Sequence, residues 1–143
     1  MSDPWMRSAR VLVDRIEHGM EGLWSLVFAA QHGALRLAHD RELDSDLSLT
    51  LAAMELGEAL EELEWTDPEL PAVAISLVLG PAPPDELADS RAAVGVLLVG
   101  ALEAAARLLR DQHEDLGTPE VLCLARVVHL LSGAQLRIAG ELQ

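Results

Sequence analysis

The chain has 143 residues and a formal net charge of −14, with 50% apolar and 24% charged residues, a composition that excludes intrinsic disorder and matches the common size of one domain. All ten of its cations are arginines, so it lacks the basic patches that grip phosphate backbones, and nucleic acid is excluded as an expected partner. One cysteine, Cys123, excludes an intrachain disulfide and points to the reducing cytosol.

Apolar residues recur at three and four spacing nearly throughout and β-branched alternation is missing, so residues 1–143 read as a single all-α domain. Ser2-Asp3-Pro4 is a helix start with proline in the first turn, and no basic-then-apolar secretory pattern is seen at this point. The helix it opens is expected to run towards Asp40, with a bend near Gly19 and Gly22. Asp44-Ser45-Asp46 caps a second helix reaching Trp65, and Thr66-Asp67-Pro68 opens a short third segment that ends in the turn Gly80-Pro81-Ala82-Pro83-Pro84. A fourth helix starts at Pro84 or Asp85 and runs to about Gln112. Its run Ala92 to Leu102 is apolar on every side, which predicts a central buried helix with Gly95 and Gly100 admitting close neighbours. That run falls short of the ~20 residues needed to span a bilayer, so no membrane insertion is expected. Gly117-Thr118-Pro119-Glu120 caps a fifth helix towards the C-terminus. The expected architecture is a four- to five-helix bundle with short loops.

The histidines do not assemble into a site. His32 and His39 share a face but lie two turns apart, about 10 Å along the axis. Asp14 and His18 read as an exposed i, i+4 pair, and His113 and His129 have no ligand at metal spacing. No phosphate loop or nucleophile elbow is present. Cys123 reads as a small buried apolar residue.

The carboxylates are more informative. Leu49, Ala53, Leu56, Leu60 and Leu63 form the apolar stripe of the second helix, with Glu55, Glu58 and Glu62 projecting from the other side. That side also carries Leu51, Met54 and Trp65, so the acids are bracketed by large apolar residues. At the head of the fourth helix Glu86 and Asp89 lie on the line of Ala93, Leu97 and Gly100, with Arg91 turned towards solvent. Carboxylates on a core line are expected to need a cation, a proton or a hydrogen-bond partner.

Glu55-Leu56-Gly57-Glu58, with Trp65 ten residues after Glu55, followed by Glu86-Leu87-Ala88-Asp89, resembles the MazG and dimeric dUTPase group of all-α nucleoside triphosphate pyrophosphohydrolases. The resemblance covers roughly residues 47–109. It implies that Glu55, Glu58, Glu86 and Asp89 hold Mg²⁺ or Mn²⁺, which binds a nucleoside triphosphate and activates the water that releases pyrophosphate. The sequence departs from the group in its long connection between the motifs, in Ser90 and Arg91 after Asp89, and in having no Lys or Asn to grip phosphate. Arg91, Arg107 and Arg110 remain for that task. A degenerate relative without activity fits these departures.

The reading from a different class is a non-catalytic helical interaction module, most simply a homodimer. There Trp5, Trp24, Phe28 and Trp65 fill core or interface and the acidic rim supplies solubility. Both readings predict a two-fold homodimer burying more than ~1,000 Å². A third reading is an apolar-ligand pocket lined by Met20, Trp24, Phe28 and Met54.

Overall fold

The computed structural model describes residues 4–16, 19–40, 47–80, 87–111 and 116–139. All regular structure among them is helical: α1 (Pro4–Arg15), α2 (Met20–Asp40), α3 (Ser48–Thr66), α4 (Leu70–Val73), α5 (Leu87–Asp111) and α6 (Thr118–Ala139). The expected first helix is divided into α1 and α2 at Gly19, whose φ of 137° is a conformation glycine adopts without steric penalty. The caps expected at Ser2-Asp3 and Asp44-Ser45-Asp46, the turn at 81–84, His18 and His113 lie outside the described residues.

Helices α2, α3, α6 and α5 form a four-membered bundle in that order around the square, each touching its two neighbours. Their directions follow from cross-contacts. Trp24 reaches Glu64 while Gln31 lies over Gly57, so α2 and α3 are antiparallel. Glu62 meets Cys123 and Glu55 meets Arg137, so α3 and α6 are antiparallel too. Gly33 faces Val94 and Gly100 faces Leu26, which sets α5 against α2. Consequently α3 and α5 run in the same direction on opposite corners, and their backbones do not approach closely.

A connection between parallel helices must travel the length of the bundle, and the segment after α4 does so along α2. The amide of Ile75 donates to Ser25 Oγ at 3.0 Å, and Leu79 approaches Gly33. Eight helical residues span about 12 Å and four extended ones about 13 Å, so the two paths match. The indole of Trp5, 1% exposed, donates to the Gly80 carbonyl at 3.0 Å and fastens the far end of this strap to α1. A Cβ at Gly33 would come within 2.8 Å of Val94, so glycine there sets the closeness of α2 and α5.

The stripe expected on α3 is the core-facing one: Leu49, Ala53, Leu56, Leu60 and Leu63 are all buried. Burying a leucine is worth about 1.5–3 kcal/mol, and truncating one to alanine costs about 2–5 kcal/mol. The expectation of an α5 buried on every side is corrected. Leu97 and Leu98 are fully buried but Val99 is 42% exposed, because three packed faces (α1, α2, α6) leave a fourth open. Gly100 does admit close neighbours, Val13 and Leu26, whereas Gly95 faces open space. By length and composition alone, Ala88–Asp111 and Thr118–Ala139 could each cross a bilayer. Their Leu97, Leu98, Leu124 and Leu131 form part of the shared core, and core helices commonly reach such apolarity.

Candidate functional site

At about 100° per residue, the acids on the side of α3 away from its leucines fan out around the axis, with Glu55 and Glu62 nearly in line. Glu55 and Glu62 lean towards α6. Glu58 and Glu61 stand further out, both exposed. The packing of α3 on α6, the most extensive in the bundle, therefore decides what these acids meet.

They meet arginines. Arg137 Nε donates to Glu55 Oε1 at 2.6 Å, a short charge-assisted bond with the Glu55 side chain only 23% exposed. The same carboxylate lies against Gly133, where a Cβ would collide with it. About three turns away on α6, Arg126 lies 3.7 Å from Glu58 and 3.9 Å from Glu62, with half-exposed partners. Exposed pairs at such distances contribute about 0–1 kcal/mol, so Arg126 is weakly committed to its own α3. At the end of this seam the Cys123 thiol and the Thr66 hydroxyl both donate to the Glu62 carbonyl. Burial pushes the Cys123 thiol above its ordinary value; the Thr66 hydrogen bond opposes this, and the charges of Glu62 and Glu120 add to it.

The second acidic pair is elsewhere. Asp89 is exposed at the head of α5, and its neighbour Ser90 is the fully buried one. The core line of α5 thus passes through Ser90, Ala93, Val94 and Leu97 rather than through Asp89, a rotation of one residue from the expected face. Nor is Arg91 turned to solvent. It is half-buried and donates to the carbonyls of Ile138 at 2.8 Å and Arg137 at 3.4 Å, capping the C-terminal end of α6. Glu86 lies outside the described residues. Glu55 and Glu58 stand on α3 and Asp89 on α5, diagonal corners of the bundle whose backbones do not approach closely. Among the described residues no group of three or more His, Cys, Asp or Glu side chains is placed to hold a metal. The Mg²⁺ donor set implied by the resemblance is therefore not brought together by its described members.

The aromatic residues divide. Trp5 and Trp24 are buried; Trp24 stacks on Phe28 with ring centroids 4.8 Å apart and donates to Glu64 at 3.1 Å, and Phe28 in turn meets His32 at 4.3 Å. Met54 is on the outer face of α3, away from these rings, so the four residues expected to line an apolar pocket do not share a cavity. Trp65 is 88% exposed.

Sequence reasoning missed the arginines that matter. Arg126 and Arg137 are eleven residues, about three turns, apart on α6, the spacing that an acidic row on an antiparallel neighbour requires. It also missed Leu122, 65% exposed, and Leu136, 73% exposed. These two flank His129 at intervals of seven, a heptad line on the polar side of α6 that was readable. With Met54, 60% exposed, and Trp65 they border the arginine–glutamate seam at both ends. A separate open groove of about 420 Å³, lined chiefly by Val13, Gly95, Val96, Val99 and Ile138, lies between α1, α5 and α6.

No family model, curated protein or solved structure matches the chain.

Proposed function

We propose that this protein is a non-catalytic helical interaction module that works as a homodimer in the cytosol, contacting its partner through the outer face of α3 and α6. The observation that carries the reading is the exposure on that one face of four large apolar side chains, Met54, Trp65, Leu122 and Leu136, around acids that arginines of the same chain engage. Large exposed apolar groups gathered on one face mark interaction surfaces, whereas scattered ones carry no such meaning. The acids serve this face as solubilising and orienting charges.

Sedimentation over a concentration series, joined to an assay for pyrophosphate release, tests the reading. The expected outcome is a species of twice 15.4 kDa at micromolar concentration and no pyrophosphate from any nucleoside triphosphate with Mg²⁺ or Mn²⁺. A monomer throughout the series refutes the module. Metal-dependent pyrophosphate release that Glu58→Gln abolishes would instead establish the MazG-like reading, with Glu55, Glu58, Glu86 and Asp89 as its ligands.

A further inference from the structure

The α3/α6 face is ordered along its length. The thiol of Cys123 on the Glu62 carbonyl brings Trp65 and Leu122 to one end, and the Arg137–Glu55 pair brings Met54 and Leu136 to the other. Between them lie Glu58, Glu61 and Glu62 on the α3 half and Arg126 on the α6 half. Each height on one helix is thus matched by a group of complementary kind on the other, apolar beside apolar at the ends and acid beside base in the middle.

A two-fold axis relating two copies face to face lies in the plane of contact. If that axis runs parallel to α3 and α6, midway between them, it exchanges the two halves without changing height. Trp65 then covers the partner's Leu122, Met54 covers the partner's Leu136, and Glu58 and Glu61 meet the partner's Arg126. If the axis instead runs across the helices, α3 lies on α3 and the acids oppose acids. Each copy already carries a formal charge of −14, so the second arrangement compounds a repulsion that the first relieves. Arg126 has the capacity for a second partner, since its own contacts are 3.7 and 3.9 Å long and a guanidinium offers five donors. The area suffices. A 19-residue helix is roughly 28 Å long and two adjacent helices are roughly 20 Å wide, which gives about 1,100 Å² of footprint for the pair, near the lower bound for a stable interface.

We infer that the occupant of this face is a second copy of the chain, related by a two-fold axis parallel to α3 and α6 that lays α3 of each copy over α6 of the other. This rests on the homodimer reading above and specifies its geometry. The test is a charge exchange followed by sedimentation. Arg126→Glu alone and Glu58→Arg with Glu61→Arg alone should each associate at least tenfold more weakly than the wild type, since each places like charges across the axis. Mixed one to one they should recover a mixed dimer, because each variant then faces opposite charge in both halves. A wild-type dimer that survives both single variants, or variants that fail to recover on mixing, overturns the inference while leaving a homodimer standing; a wild-type monomer overturns both. The unaltered protein provides a second measurement should either variant fail to fold. Trp65 is the exposed member of the three tryptophans, so diluting the dimer to monomer should shift emission to the red and raise quenching by iodide. An assembled dimer in which iodide quenches as strongly as in the monomer would overturn the arrangement.

Discussion

Two open apolar regions of this bundle differ in kind. The groove between α1, α5 and α6 is lined mainly by small and medium apolar side chains, with Gly95 among them and Val99 its most exposed large apolar residue at 42%. The α3/α6 face offers fewer but larger groups, led by Trp65 at 88%, and sets them around an acidic and basic centre. Concavity belongs to the first, and area available for burial with charge to fix an orientation belongs to the second. An apolar count along the sequence favours α5, yet binding energy concentrates in a few large anchors with polar neighbours to orient them.

The largest effect should come from removing the anchors. Trp65→Ser with Leu122→Ser is expected to weaken self-association by at least ~2 kcal/mol while leaving the thermal midpoint of the monomer within a few degrees of wild type. The matching pair in the groove, Val96→Ser with Val99→Ser, should leave association unchanged. Sedimentation of the two double variants side by side breaks the comparison if the groove pair is the one that dissociates the dimer.

Glycine substitutions sharpen it further. A Cβ at Gly133 meets the tip of the Glu55 side chain inside the α3/α6 seam, so Gly133→Ala displaces that carboxylate from Arg137, a loss that helix propensity offsets, and the net change should stay within about 1 kcal/mol of zero, measured by urea denaturation. At Gly95 a Cβ meets nothing within 4 Å. Gly95→Ala should therefore add about 0.5–1 kcal/mol through helix propensity and a stiffer unfolded chain. A loss there would mean that something covers the groove.

The smallest effect is a titration in the seam. Burial raises the Cys123 thiol, so the folded chain holds a proton that the unfolded chain releases above pH ~8.5. This contribution is fully present below that range and declines as pH rises through it. A Cys123→Ala variant should show a flatter dependence of stability on pH between 8 and 10, and equal slopes for the two proteins would contradict the assignment.

Much of the fold was legible because helix periodicity and capping are local. The stripe of α3 and the starts at Pro4 and Thr118 follow from spacing and end signals. Adjacency was not legible. Which helices become neighbours depends on the strap of residues 74–80 running along α2, and no periodicity in α3 or α5 encodes that path. The grouping of Glu55 and Glu58 with Glu86 and Asp89 came from the family resemblance, and spacing within each helix carries no information on whether the two pairs face each other. The rotation of α5 was lost for a related reason. With apolar residues on every side of 92–102, its inward line was ambiguous by one residue, and the small, buried Ser90 resolves it against Asp89.

The diagonal placement of α3 and α5 has a consequence for how the chain is made. The most extensive packing in the bundle joins α3 to α6, elements separated by about half the chain, and α6 is synthesised after the other described helices. Until it emerges, α3 can rest only on α2 and α4, and the flank that α6 will cover stays wet. Formation of the seam is a late, long-range closure, and such closures are slow because the intervening loop must first be ordered. In the interval a nascent chain presents an incomplete helical layer to its neighbours on the same message, the circumstance in which a second copy can take the place of the missing helix.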